Sequence, residues 1–305
     1  MKYFNKLCNN ILLLFKFKTA VSILSVFIIC SGSIFFWSFP GTLFNINPVN
    51  KIKLDASYYS NFFPPSFGSV DTKLTQPNDI AVNSLSSSIY VTDSGNHRIQ
   101  QFSHNGTFIA TWGAEGDANS QFKSPSGIAV NPTSGSVYVA DTGNDRIQQF
   151  SHNGTFIAAW GSYGTSSGQF IGQFGIAVNP TSGSVYVADT NNHRIQQFSH
   201  NGTFIAAWGA EGDANSQFMY PSGIAVNPTS GSVYVADTGN NRIQQFSHNG
   251  TFIASWGSTG NANSQFTGPS GIAVDTVSGS VYVVDRDNNR IQQFSHNGVF
   301  ITAWS

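Results

Sequence analysis

The tract Ser-Val-Tyr-Val-Ala-Asp, or a close variant of it, recurs five times, and its aspartate falls at 93, 141, 189, 237 and 285, a constant step of 48 residues. A fixed period of this size means tandem supersecondary units that cannot each bury both of their own faces. Within one unit, Gly127 to Val130 is a short apolar run without a charged face, which suits a strand buried on both sides. Asn131-Pro-Thr-Ser-Gly135 is a turn, and Val137 to Val139 is a second strand rich in β-formers. Asp141 to Asn144 turns the chain again, and Arg146 to Phe150 alternates polar and apolar as a half-buried third strand does. His152-Asn-Gly154 is a hairpin signal, because Asn-Gly favours the turn that matches strand twist, and Phe156 to Trp160 supplies a fourth strand. Four short strands per unit, with no helical period after residue 40, predict an all-β propeller of five four-stranded blades. Trp112, Trp160, Trp208, Trp256 and Trp304 are expected to pack between blades.

The tracts Asp141-Thr-Gly-Asn-Asp-Arg-Ile147 and Asp189-Thr-Asn-Asn-His-Arg-Ile195, with Asn-His-Arg-Ile-Gln at 96–100 and 192–196, resemble the NHL repeat over about residues 67 to 305. The resemblance implies a ring whose relatives bind protein, RNA or small ligands, with lyase or hydrolase chemistry in a few similar propellers. Two departures matter. Six blades are common among relatives where five are visible here, and the zinc-binding cysteines that accompany the repeat in ubiquitin ligases are missing. The sequence leaves two arrangements open, a closed five-bladed ring, which is favoured, and an open or truncated six-blade design. Phe67-Gly68 aligns with the Trp-Gly that ends the other blades, so Asn61 to Phe67 could be a stray outer strand.

Ahead of the repeats, Thr19 to Phe39 carries no charge and follows Lys2, Lys6, Lys16 and Lys18. That pattern predicts a basic cytoplasmic segment at 1–18, a transmembrane signal-anchor helix at 19–39, a stalk at 40–66 and a propeller at 67–305 held outside a membrane. Cleavage as a signal peptide, giving a secreted protein, is the alternative. The only cysteines are Cys8 and Cys30, so the repeat region can hold neither disulfides nor cysteine-ligated zinc. From Asp55 onward eight Lys and Arg face all fifteen acids, a formal charge of −7, which disfavours nucleic acid as a partner.

The loop after the second strand carries Asp93, Asp141, Asp189, Asp237 and Asp285 with Arg98, Arg146, Arg194, Arg242 and Arg290. Each Asp is expected to fix its turn and pair with a nearby Arg. A ring of such groups facing a ligand is the functional alternative. Between them stand His97, Asp145, His193, Asn241 and Asn289, the positions where blades differ and where specificity for a ligand could be encoded. Five histidines in register (104, 152, 200, 248 and 296) lie in hairpin turns, where rotation round a ring keeps them too far apart for one metal. Asn105, Asn153, Asn201 and Asn249 begin Asn-Gly-Thr sequons in the same hairpins, whereas Asn297-Gly-Val299 is not one. No catalytic residue, cofactor or metal is expected. Near-identical blades repeat one environment, whereas catalysis needs unlike groups around one point. The expectation is a tethered scaffold binding a protein or glycan; the alternative is an enzyme of the lyase or lactonase type with a metal in the central channel.

Overall fold

The structure, a computed structural model, describes residues 72–305 and the backbone of three earlier strands. Those three, β1 (Leu12–Phe17), β2 (Ile23–Cys30) and β3 (Ser33–Pro40), form an antiparallel sheet in the order β1-β2-β3. Two of them occupy the stretch where the sequence predicts a membrane helix, and no helix among the described residues is long and apolar enough to cross a membrane. The basic segment up to residue 11, the stalk and the aligned pair Phe67-Gly68 lie outside the described residues.

The repeats form five blades, each an antiparallel meander. Blade 1 comprises β4 (Pro77–Asn83), β5 (Ser88–Asp93), β6 (Arg98–Ser103) and β7 (Phe108–Trp112). Blade 2 comprises β8 (Ile128–Val130), β9 (Val137–Asp141), β10 (Arg146–Phe150) and β11 (Phe156–Trp160). Blade 3 comprises β12 (Gln173–Val178), β13 (Val185–Asp189), β14 (Arg194–Phe198) and β15 (Phe204–Trp208). Blade 4 comprises β16 (Pro221–Val226), β17 (Val233–Asp237), β18 (Arg242–Phe246) and β19 (Phe252–Trp256). Blade 5 comprises β20 (Pro269–Val274), β21 (Val281–Asp285), β22 (Arg290–Phe294) and β23 (Phe300–Trp304).

The pleat decides which residue faces which neighbour. In β9, Val137 and Val139 point towards blade 1, where they join Ile128, Phe150 and Phe122 against Tyr90 and Ile99. The alternate residues Tyr138 and Ala140 point the other way and pack with Ile147 against Val185, Val187 and Phe198 of blade 3. The same junction recurs between blades 3 and 4 and between blades 4 and 5. Each buried core is therefore shared by two blades, and a strand flanked on both sides reads as a continuous apolar run. Trp112, Trp160, Trp208 and Trp256 take part as expected, each tilted against a phenylalanine of the next blade, with Trp160 at 5.9 Å from Phe198.

Polar contacts stitch the same junctions. The hydroxyls of Tyr90, Tyr138, Tyr186 and Tyr234 each donate to a backbone carbonyl of the next blade, those of His152, His200, His248 and His296, at 2.9–3.0 Å. The hairpin histidines thus serve through their backbone. Near the inner strands blades 3, 4 and 5 approach so closely that a side chain has no room: a Cβ placed on Gly223 would lie 1.9 Å from the carbonyl oxygen of Ser270.

The junction between blades 5 and 1 is different, and this corrects the expectation of a closed five-bladed ring. Ile80 and Val82 are each 59% exposed, whereas Ile128, at the position of Ile80, is 3% exposed. On the opposite end Val284 is 40% and Trp304 46% exposed, whereas Ala236, at the position of Val284, is wholly buried. The hydroxyl of Tyr282 receives Gln293 Nε2 from its own blade at 3.2 Å, and no described residue stands where the next blade would accept it. Five blades make four packed junctions and leave two uncovered faces among the described residues.

Candidate functional site

The aspartate loops hold the five Asp–Arg pairs and the variable position between each Asp and its Arg. Asp141 ends β9 and faces Arg146, which opens β10, across the ladder. A 3-10 turn, Thr142–Asn144, joins them, and Asp145 closes it in the left-handed region at φ 49°. The equivalent residues His97, His193, Asn241 and Asn289 have φ between 52° and 55°. Asn, Asp and His tolerate that conformation better than branched residues, which limits what can occupy the position.

Each aspartate is wholly buried and each paired arginine 13–15% exposed, with Nε to Oδ2 at 2.7 Å in all five blades. The carboxylate of Asp189 also accepts the backbone N–H of Ile171 (2.9 Å), Asn192 Nδ2 (3.0 Å) and Gln196 Nε2 (3.0 Å). Arg194 continues outward to the carbonyls of Thr165, Ser166 and Gln169 at 2.7–2.8 Å. A buried charge is tolerable when it is paired and its remaining lone pairs are filled, as here. The result is a clamp that holds the loop running in from the preceding blade. The acidic loops around Glu115-Gly-Asp117 and Glu211-Gly-Asp213 are held in the same way, through the carbonyls of Asp117 and Asp213. Burial pushes the Asp93 carboxyl up, but hydrogen bonds from Thr75 N, Asn96, Arg98 and Gln100 outweigh it and hold it below the usual carboxylate range.

The variable positions are tied into the junctions. His97 Nδ1 accepts Ser124 N at 3.0 Å, and His193 Nδ1 accepts Tyr220 N at 3.2 Å. Asp145 Oδ1 accepts Gly172 N at 3.4 Å, and Asn241 Oδ1 accepts Gly268 N at 2.9 Å. Four side chains of three chemical kinds thus share one task, offering an acceptor to the loop that opens the next blade. The geometry does not bring His97, Asp145 and His193 to one point. Among the described residues no group of three or more His, Cys, Asp or Glu is placed to hold a metal ion. Burial, joined by the charges of Asp189 and Asp141, raises the Asp145 carboxyl despite the bond from Gly172.

One residue of this face had no role in the sequence reading. Asp79, on β4, stands where the other inner strands carry Gly127, Gly175, Gly223 and Gly271. Its Oδ2 accepts Ile128 N of blade 2 at 2.9 Å and its Oδ1 accepts Ile80 N at 2.8 Å. Burial raises its carboxyl in spite of those two bonds. The glycine-to-aspartate change in an otherwise repeated tract was the available signal.

The uncovered faces form the second candidate region. The blade 5 face presents Tyr282, Val284, Ile291 and Trp304, and the blade 1 face presents Ile80, Val82, Ile89 and Phe102. Isolated exposed apolar residues are ordinary, but two sheet faces whose counterparts are buried at every other junction are not. Blade 5 also differs where it would meet a neighbour. Ser94, Thr190 and Thr238 donate their hydroxyls to the next blade's Pro125, Pro221 and Pro269 carbonyls, whereas Arg286 takes that position in blade 5 and pairs with Asp287 at 2.8 Å.

The family model of the NHL repeat matches residues 74–102, 122–150, 175–198, 218–246 and 266–294, one match per blade. The chain is an NHL-repeat β-propeller protein. No curated protein matches it. Among solved structures it is similar to a streptogramin B lyase (17% identity, TM-score 0.56, 75% of this chain and 68% of that one). It is also similar to a nidogen/laminin complex (18%, 0.57, 75% and 79%) and to a gluconolactonase of Xanthomonas campestris (14%, 0.55, 75% and 75%). At these identities the likeness is one of fold.

Proposed function

We propose that this protein is an extracytoplasmic scaffold that binds a protein partner through the uncovered faces of blades 5 and 1. The observation that carries the reading is the exposure of Val284, Trp304, Ile80 and Val82 at positions that are otherwise the inside of a junction. The partner that fits is a β-sheet with aliphatic and aromatic side chains, because those are what the same faces meet at the four packed junctions. The likeness to a nidogen/laminin complex is in keeping with protein binding, and the repeat region's charge of −7 with a partner other than nucleic acid. Tethering through residues 19–39 belongs to the same proposal. In a bilayer an open three-stranded sheet would leave its edges unpaired, so anchoring requires that stretch to be helical there.

The test is site-specific photo-crosslinking from positions 284 and 80, with hairpin position 153 as control, on intact cells that make the protein. The same partner crosslinked from 284 and from 80, and not from 153, is expected. No crosslink from either face, or labelling from 153 alone, would overturn the reading.

The likeness to lyase and lactonase propellers favours a second reading, an enzyme acting at the inner strands. Asp79 is the inner-strand group with a raised carboxyl, and the crowding at Gly223 leaves little space for others. Turnover of a lactone or cyclic depsipeptide that is lost in Asp79→Asn would establish it.

A further inference from the structure

The hairpins that join the third and fourth strands carry a residue the fold does not explain. In blades 1 to 4 the turn reads Ser-His-Asn-Gly-Thr, and in blade 5 it ends in Val299. The fifth turn is nevertheless built like the others. Ser295 Oγ donates to Asn297 Oδ1 at 2.5 Å and Val299 N donates to Ser295 Oγ at 3.0 Å, as Thr155 N does to Ser151 Oγ at 3.1 Å. The turn glycines all have φ between 81° and 85°. Threonine and valine have the same shape, so the turn tolerates loss of the hydroxyl, and the threonines at 107, 155, 203 and 251 call for another explanation.

Their geometry supplies one. Thr155, Thr203 and Thr251 donate their hydroxyls to the side-chain oxygen of the asparagine two residues earlier, at 3.0–3.1 Å. The oxygens of Asn153, Asn201 and Asn249 are thereby engaged, whereas their amide nitrogens have no acceptor among the described residues. All four asparagines, Asn105 included, are exposed. The turn itself is held from below: a Cβ on Gly154 would meet the indole of Trp112 at 2.7 Å, so the tip rests on the preceding blade and presents its asparagine outward.

We propose that Asn105, Asn153, Asn201 and Asn249 are acceptors of N-linked oligosaccharide, so that blades 1 to 4 each carry one glycan and blade 5 carries none. The donor class is an oligosaccharide on a lipid pyrophosphate. The asparagine nitrogen bonds to the first sugar's anomeric carbon, the bond from that carbon to the pyrophosphate oxygen breaks, the amide gives one proton to a base of the transferase, and the lipid pyrophosphate leaves. The bare blade presents one of the two uncovered faces, and blade 1, which presents the other, would carry its glycan on the hairpin between β6 and β7. This inference rests on export of the propeller and is otherwise independent of the partner.

The full chain, extended after Ser305 by a flexible tail bearing one Asn-Ser-Thr reporter, is made in a eukaryotic secretory cell and treated with an asparagine-glycan amidase. Five steps of mass loss on partial digestion are expected, four from the hairpins and one from the tail. Each of Thr107→Val, Thr155→Val, Thr203→Val and Thr251→Val removes one step, Val299→Thr adds one, and the urea midpoint of the deglycosylated valine variants stays at that of the parent. A modified tail with bare hairpins would overturn the site assignment and leave export standing. A bare tail with bare hairpins would overturn both.

Discussion

Replacing Asp189 by alanine should cost this protein about 3–5 kcal/mol, the usual loss when one partner of a buried ion pair is removed. The structure shows where the loss arises. Asp189 is wholly buried and accepts four donors, from Arg194, Asn192, Gln196 and the backbone of Ile171. Arg194 keeps three carbonyl partners, Asn192 keeps Gly164 O and Gln196 keeps Gln169 O. Ile171 N has no second acceptor, which alone costs about 1–3 kcal/mol. The rest comes from an arginine left facing other donors without its counter-charge. In a folded region of this size each kcal/mol lowers the melting midpoint by about 2–4 °C, so a fall of about 6–20 °C is expected. Urea unfolding followed by circular dichroism and tryptophan fluorescence measures it, and the loss should change little with salt because the pair is buried. Asp285→Ala should cost a similar amount, since its clamp is complete within blade 5 and its lead-in loop. A loss under about 1 kcal/mol for Asp189→Ala would refute the view that these pairs hold the loops.

Three further outcomes follow from the junctions. Tyr186→Phe removes the bond to His248 O (2.9 Å) and should cost about 1 kcal/mol in urea unfolding, whereas Tyr282→Phe, which has no next-blade acceptor, should cost less. Gly223→Ala drives a Cβ into Ser270 O and should destabilise by more than the about 1 kcal/mol range of a glycine substitution in open space; an unchanged midpoint would mean that the inner strands are farther apart than described. Asp93 and Asp79 should give opposite pH dependences. The lowered carboxyl of Asp93 contributes stability above its unfolded value, near 3.9, that is lost as pH falls through its folded value. The raised carboxyl of Asp79 contributes most below its unfolded value, and that share is lost as pH rises through its folded value. The stability difference between wild type and Asp93→Asn should therefore shrink in acid, and that between wild type and Asp79→Asn should shrink as pH rises above about 4; parallel curves would contradict both assignments.

The strands were legible because they are local. Val137 to Val139, Arg146 to Phe150 and Phe156 to Trp160 are strands where β-propensity and alternation place them, and the Asn-Gly turns lie between. The Asp–Arg pairs were legible for the same reason, being five residues apart across one turn. The partners of His97, Asp145, His193 and Asn241 were not, because each bonds a residue 27 positions later and the contact exists only once blades are stacked. The uncovered faces were hidden by repetition itself. A valine-tyrosine strand reads alike whether or not a neighbour covers it, and at the junction side Val284 for alanine and Arg286 for threonine set the last blade apart. The run at 19–39 lacks charge along its whole length, and apolarity without a period does not separate a helix from strands.

The comparison of Trp208→Ala with Trp304→Ala in urea tests the four-junction arrangement most directly. Trp208 packs 6.0 Å from Phe246 of the next blade, and its loss should cost about 3 kcal/mol, the low end for a buried tryptophan. Among the described residues the one aromatic ring against Trp304 is Tyr282 of its own blade, and Trp304 is 46% exposed, so its loss should stay below about 1 kcal/mol. Equal losses at the two positions would mean that a blade already covers the last face, and the proposed docking surface would be gone.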